Sequence, residues 1–318
     1  MPSVSVIIPT YNLRLLIERA IRSVIRQNGG HDAEIIVVDD GSTDDTLSII
    51  EKLGCPSVKI LKQEHNQGPA AARNRGLLEA QGEYCAFLDG DDFWEPEFLN
   101  ETTAFMRSHP EAVAVSVMQC HKTFNNKTYI VPDPPPVQEP VLLDDFYDFW
   151  AKYNHVCTGS ALIRTDVAKA TGGQRVNFRV CEDLEFWALL ATYGPWGFIP
   201  KVLFTSDGGV ITREISWHEK ARKRWASAMP ADVWAERIVQ RLPENLKNSF
   251  SHAQARIARN LAYSMMMDGR NEPARQDVLK YSALFPKNLL NSVFAICSHS
   301  RCLWFLFAAS LRFREHLR

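Results

Sequence analysis

The sequence predicts an α/β fold: an open, mostly parallel central sheet flanked by helices, with a helical region at the C-terminal end. Three observations predict it. First, "SVSVIIPTY" (3–11), "AEIIVVDDG" (33–41) and "EYCAFLDGDD" (83–92) are short apolar, mostly β-branched runs that stop at polar residues, as buried parallel strands do. Second, the segments between them carry apolar residues at helical spacing. Third, Asp39, Asp40, Asp89 and Asp91 stand where strands end, the edge at which open α/β sheets place their ligands.

Taken in order, the first strand is followed by "LLIERAIRSVIRQ", whose Leu16, Ile17, Ala20, Ile21, Val24 and Ile25 form one apolar face, with Glu18 and Arg22 paired at i,i+4 outside. With the second strand this makes a βαβ unit. A second helix is expected after "DDGSTDDTLSIIEKLG", with Ser42 and Asp45 as a capping box and Gly54 at the exit. A third opens at Pro69, which a first turn tolerates because its missing N–H has no partner there, and continues through an alanine run.

"AVAVSVMQC" (112–120) reads as another strand, while the prolines of "VPDPPPVQEP" (131–140) exclude both helix and central strand and imply an extended surface excursion. "CTGSALIRTDVAKATGG" repeats the strand–turn–helix pattern. "CEDLEFWALLATYG" reads as a helix with Leu184, Trp187, Ala188 and Ala191 inward and Glu182 and Asp183 in its first turn, where the helix dipole favours carboxylates on its own account. From Trp217 to about residue 285 the pattern is helical, with Met265, Met266 and Met267 as core filler.

The 318 residues suffice for one large domain or two modest ones, and the formal charge of −1 gives no basic field of the kind that nucleic acid requires. Seven cysteines without a CxxC spacing read as reduced, mostly buried thiols in a cytoplasmic protein. No signal peptide is evident at the start. The apolar "VFAICSHSRCLWFLFAASL" (293–311) is broken by "SHSR" and falls short of a membrane span. Accompanied by Lys287, Arg301, Arg312, Arg314 and Arg318, it suits either a helix lying on an anionic bilayer or a helix docked on the catalytic domain or a second subunit.

Three carboxylates within four positions, Asp89, Asp91 and Asp92, need a cation or donors to meet them. A hard divalent ion is held by one or two such groups together with substrate phosphates. The glycine-rich signatures of dinucleotide sites and P-loops are absent. Instead Pro9 and Tyr11 offer a rigid turn and an aromatic face for a nucleobase, and Asp40 an acceptor for base or ribose. With a metal at the third strand end, these residues make up a nucleoside-diphosphate pocket.

"VSVIIPTYN" (4–12), "IIVVDDGSTDDT" (35–46), "GPAAARNRGL" (68–77), "YCAFLDGDDFW" (84–94), "TGSALIRTDVAKATGG" (158–173) and "CEDLEFWALLATYG" (181–194) together resemble the successive motifs of the family 2 glycosyltransferases. The resemblance implies a GT-A fold over 1–215, with a Rossmann-like nucleotide-sugar-binding half (1–111) and an acceptor-binding half (112–215), followed by a helical extension (216–318) that is membrane-associated or dimerising. It also implies inverting transfer from a nucleotide-sugar, most often a UDP-sugar. By this resemblance Pro9 and Tyr11 line the nucleoside pocket and Asp40 recognises the base. Asp89 contacts ribose or the metal's water shell, Asp91 binds Mn²⁺ or Mg²⁺, and Asp183 is the general base. Asp92 either stabilises the turn or touches the ligand, and Glu182 orients the acceptor or caps its helix. Arg73 and Arg75, two residues apart, cannot share a helix face and are read as structural or exposed. His218, in a segment resembling a mobile loop, is either a diphosphate or metal contact or a loop anchor.

"ARKRW" (221–225) keeps Arg224 and Trp225 of the Gln-x-x-Arg-Trp motif of processive members but has Ala221 at the glutamine position, so the resemblance points to single transfer. The acceptor is a glycan or lipid-linked, with peripheral contact at the cytoplasmic face of a membrane and a homodimer both open. A catalytically inactive GT-A module that binds carbohydrate or nucleotide, or acts as a scaffold, is the alternative.

Overall fold

β1 (Val4–Thr10) is buried along its whole length and forms the axis of the first half of the sheet. The structure, a computed structural model, describes residues 2–27, 32–123, 127–207 and 217–316. Its chain divides into two units, one of residues 1–176 and 186–213, the other of residues 177–185 and 214–318.

In the first unit, α1 (Ile17–Ile25) buries Ile17, Ala20, Ile21 and Val24, the face expected from their spacing. β2 (Ala33–Asp39) returns parallel to β1, followed by α2 (Thr46–Lys52), β3 (Val58–Lys62), α3 (Pro69–Glu79) and β4 (Tyr84–Phe87). β3, β2, β1 and β4 lie side by side in that order, all parallel. Proline opens α3 as expected, and Gly54 leaves α2 at φ 58°. The expected capping box does not form. Asp45 precedes α2 without a side-chain cap, and Asp44 instead accepts the Thr46 amide at 3.0 Å. Ser42 is drawn away because its hydroxyl accepts the Asn12 amide at 3.0 Å.

Beyond β4 the sheet is mixed rather than mostly parallel. β5 (Phe93–Trp94), α4 (Phe98–Ser108) and β6 (Ala114–Lys122) are followed by β7 (Thr128–Val131), which pairs antiparallel with β6. That hairpin reverses the chain without a crossover helix, and antiparallel pairs then stand beside parallel ones. The proline-rich stretch then runs without regular structure to β8 (Val141–Leu143). α5 (Phe146–Tyr153) starts where the Asp145 side chain accepts the amides of Tyr147 and Asp148. β9 (Ala161–Arg164) inserts antiparallel between β4 and β6 and leads into α6 (Thr165–Ala170). The completed order is β3-β2-β1-β4-β9-β6-β10-β5, where β10 (Trp196–Ser206) runs parallel to β6. The core of this unit packs the β1, β2 and β4 side chains against α1 and α4.

α7 (Glu182–Leu190) begins in the second unit. Trp187, Ala188 and Ala191 are buried as expected, but Leu184 is half-buried and Glu185 is fully enclosed. The rest of the second unit is helical: α8 (Trp217–Ala226), α9 (Ala231–Val239), α10 (Lys247–Met267), α11 (Asn271–Tyr281), α12 (Leu289–Ser298) and α13 (Arg301–His316). α10 is its spine, burying Phe250, Ile257, Leu261 and all three consecutive methionines. Arg270 closes the C-terminal end of α8 by donating to the carbonyls of Trp225 at 2.7 Å and Ala228 at 2.5 Å. Part of the C-terminal tail docks within the unit: Trp304, Ala308 and Leu311 are buried, and the Trp304 indole donates to the Asn271 carbonyl at 2.7 Å. Among the described residues no helix is long and apolar enough to cross a membrane. The seven cysteines are free thiols, with Cys85 and Cys181 buried and Cys302 exposed.

Candidate active site

Three parallel strands end together. Pro9 is in register with Val38 and Thr10 with Asp39 at the C-terminal ends of β1 and β2, and the Asp40 amide donates to the Thr10 carbonyl at 2.9 Å. Beside them, the Leu88 amide donates to the Ile7 carbonyl at 3.0 Å, so the turn after β4 emerges next to β1. Gly90 stands at the closest approach. A Cβ there would lie 2.9 Å from Leu13 Cδ1 and 3.3 Å from the Pro9 carbonyl oxygen, so glycine lets the Asp-Gly-Asp turn sit against β1 without displacing its neighbours.

The loops after β1 and β2 are laced to each other. Asn12, at φ 54°, accepts the Thr43 amide at 2.8 Å, and the Leu13 amide donates to the Thr46 hydroxyl at 2.9 Å. Pro9 lies inside β1 rather than after it, and Tyr11, 40% exposed, stands at the mouth of these loops. Asp40 is buried and accepts the Gln67 and Gly68 amides and the Gln63 side chain, each at 2.7–2.8 Å. It therefore clamps the loop between β3 and α3. Its neighbour Asp39 takes the Ser42 amide on one oxygen at 3.2 Å, while the other, Oδ1, is buried with no hydrogen-bond partner among the described residues. A buried acceptor of this kind calls for a donor N–H or O–H. The sequence signal was the double aspartate itself, in which only the second residue was singled out as a ligand contact.

The carboxylates of 89–92 divide their tasks. Asp89 receives the Arg73 guanidinium at 2.6 Å, and Arg73 also donates to Gln174 at 3.1 Å. Arg73 is thus a buried support of the site, while Arg75 is exposed and pairs with Glu79, as the i,i+2 argument requires. Asp92 is buried and accepts the Asp207 amide at 2.9 Å, so it braces the turn against the end of β10. Burial and the charges of Asp91 and Asp89 push its pKa well up. Arg19, from α1, ion-pairs with Asp207 and donates to the Asp91 carbonyl at 2.5 Å. Neither Arg19 nor Asp207 stands out in the sequence, because the two are 188 positions apart.

Asp91 is left half-buried, and among the described residues its carboxylate takes no side-chain hydrogen bond. Desolvation, then the Asp89 charge, push its pKa up to about 6. Among the described residues no group of three or more His, Cys, Asp or Glu forms a complete metal cage. What the turn offers is one or two oxygen ligands, a donor set that suits Mg²⁺ or Mn²⁺ when a diphosphate and water supply the rest.

Asp183 and Glu182 belong to the second unit, in the first turn of α7. That turn is held by its flanks: Cys181, at φ 60°, accepts the Trp234 indole N–H at 3.0 Å on its carbonyl, and Arg224 donates to the Arg179 carbonyl at 3.1 Å. One turn on, Glu185 forms a two-pronged ion pair with Arg237. Residues 208–216 and the side chain of His218 lie outside the described residues.

The family 2 glycosyl transferase model matches residues 5–171, more than half of the chain. The chain belongs to glycosyltransferase family 2, enzymes that transfer a sugar from a nucleotide-sugar donor. It is 30% identical over 196 residues to the UDP-Glc:alpha-D-GlcNAc-diphosphoundecaprenol beta-1,3-glucosyltransferase WfaP of Escherichia coli, an alignment covering 61% of this chain and 72% of that one. It is 46% identical over 95 residues to the GalNAc(5)-diNAcBac-PP-undecaprenol beta-1,3-glucosyltransferase of Campylobacter jejuni, covering 29% and 30% of the two chains. In fold it is similar to residues 1–349 of TarS from S. aureus in complex with UDP-GlcNAc, with a TM-score of 0.69 and 19% identity over 96% of this chain and 89% of that one. The fold is the GT-A fold.

Proposed function

We propose that this chain is an inverting, metal-dependent glycosyltransferase that moves one sugar from a nucleotide-sugar, a UDP-sugar first, to a hydroxyl of a glycan carried on a membrane lipid at the cytoplasmic face. The observation that carries the reading is the strand-end edge that bears Asp39, Asp40, Asp89 and Asp91, with Asp91 raised to about 6 and Asp39 holding a buried acceptor without a partner among the described residues. Tyr11 offers its ring to the base, just past the end of the strand that carries Pro9. Asp39 Oδ1 takes a base or ribose donor, with Asp40 keeping the neighbouring loop in place. Asp91, with Asp89 beside it, holds Mn²⁺ or Mg²⁺, which when bound neutralises charge on the diphosphate.

Asp183 takes the proton of the acceptor hydroxyl as the oxygen bonds to the anomeric carbon opposite the departing diphosphate. The bond from that carbon to the diphosphate oxygen breaks, and configuration inverts. The undecaprenol-linked acceptors named for two relatives support a lipid-linked substrate.

The test uses the full chain, a panel of nucleotide-sugars, and calorimetry with and without Mn²⁺. UDP-sugar binding is expected to weaken sharply in chelator. Asp183→Asn is expected to keep donor affinity while turnover falls by roughly 10²- to 10⁴-fold. Equal donor binding in chelator overturns the metal assignment. Full turnover in a folded Asp183→Asn protein removes that residue as base, and saturable glycan binding without product from any donor would make the chain an inactive module.

A further inference from the structure

We infer that the outward face of α13 is a docking surface for an anionic lipid bilayer. The tail expectation posed two alternatives, bilayer or packing, and the helix divides between them. Trp304, Ala308, Leu311 and Glu315 point into the second unit and are buried. On the opposite side Cys302, Leu306, Ala309 and Phe313, spaced i, i+4, i+7 and i+11, form one exposed stripe. Leu306 is 68% and Phe313 69% exposed, and Leu303 and Phe305 widen the stripe on its two sides. A helix whose buried face is already satisfied has no packing reason to be apolar on its other face as well. A contiguous apolar surface of this kind marks a contact.

Charge says which contact. At about 100° per residue, Arg301 and Arg314 fall on the two flanks of the stripe, neither on the buried seam nor on the stripe itself. Their side chains are 75% and 55% exposed. Arg301 has Glu272 at 3.7 Å, and Arg314 has Glu315 at 4.0 Å, so both guanidiniums stay at the surface. Arg312 does not join them, since it donates inward to the Met266 carbonyl at 2.7 Å and to Asn271 at 2.9 Å. An apolar stripe edged by cations on both sides is the arrangement of a helix lying flat in a headgroup layer, aliphatic groups inserted and guanidiniums at phosphate depth. A second copy is a poorer occupant. Two-fold pairing through this stripe would set cations against cations, because the one acid on α13, Glu315, faces inward. The inference extends the reading of a lipid-linked acceptor by naming the surface that meets the bilayer, and it stands or falls on lipid binding alone.

Full-length protein is sedimented with vesicles of phosphatidylcholine alone and of phosphatidylcholine mixed with phosphatidylglycerol. Binding is expected to the mixed vesicles and to weaken with added salt. Leu306→Glu with Phe313→Glu is expected to lower binding by at least about tenfold. Arg301→Gln with Arg314→Gln should lower it by roughly fivefold per charge removed, with no loss on neutral vesicles. Far-UV circular dichroism and nucleotide binding, unchanged in each variant, show that the fold is kept. The inference is overturned if the full chain ignores anionic vesicles, or if the double glutamate variant sediments like the parent. It is equally overturned if that variant turns a dimer into a monomer while lipid binding persists, which would give the stripe to a second copy.

Discussion

Removing Arg237 should destabilise the second unit far more than removing any exposed ion-pair partner. Glu185 is fully buried, and its two oxygens receive Arg237 Nε at 2.8 Å and Nη2 at 2.5 Å. In Arg237→Met the carboxylate keeps its enclosure and loses both donors, a loss of about 3–5 kcal/mol for a stranded buried charge. The exposed Arg22–Glu18 pair on α1 is the control: both side chains are about half exposed, and Glu18→Gln should change stability by under ~1 kcal/mol. The double variant Glu185→Gln/Arg237→Met removes the charge together with its partner and should recover most of the loss. Urea unfolding followed by tryptophan fluorescence reads the difference, and Arg237→Met should lower the midpoint by on the order of 1–3 M. A shift no larger than that of Glu18→Gln, or no recovery in the double variant, would refute the reasoning. The pair also matters for chemistry. Asp183 and Glu185, two positions apart, face different sides of α7, so the ion pair can anchor the helix without occupying the proposed base.

Asp277 accepts the Ala231 amide at 2.9 Å in a buried site, and desolvation raises its pKa to about 7. Because its folded pKa lies above the ordinary carboxylate value of 3.8, its stabilising contribution is complete below about pH 4 and disappears as pH rises through about 7. Asp277→Asn, which keeps an acceptor for Ala231, should therefore raise the Tm at pH 8, by as much as about 4 kcal/mol of stability, and give no gain at pH 4. Identical thermal melts of parent and variant across that range would count against the assignment. Arg73→Gln should destabilise the metal-free protein by roughly 1–3 kcal/mol, because Asp89 loses its charged donor beside Asp91. Added Mn²⁺ should recover part of that loss in differential scanning fluorimetry, and a loss unaffected by the ion would separate Asp89 from the metal.

The parts of the fold that depend on local pattern were legible. β1, β2 and β4 announce themselves as apolar runs that stop at polar residues, and α1 and α3 follow from spacing and from Pro69. What depends on tertiary partners was not. Ser42 reads as a cap until the Asn12 amide from another loop claims its hydroxyl. β9 has the composition of any buried strand, and only its pairing with β4 and β6 shows that it runs antiparallel. Glu185 reads as one more carboxylate in an acidic first turn, and only the approach of α9 makes it a buried anchor. The tail pattern carried both halves of the answer, because a helix apolar on two opposite faces gives no periodic signal that tells the packed face from the exposed one.

The crowding of three carboxylates in "AFLDGDDFW" has a physical resolution in how unequally the protein meets them. Asp89 is neutralised by Arg73, whose position on α3 is fixed in turn by Gln174. Asp92 is turned inward onto the Asp207 amide, where it ties the turn to β10. Among the described residues Asp91 is met by its own backbone amide and by the electrostatic pull of Arg19, against burial and the charges of Asp89 and Asp207. Two satisfied aspartates thus hold a third in a position where its negative charge is costly. With its pKa raised to about 6, the group is largely charged near neutral pH, and the proposed divalent cation would offset that charge. In the proposed reading, the place of Asp91 in the turn after β4 sets a bound cation on the strand-end edge where a nucleotide's diphosphate would arrive.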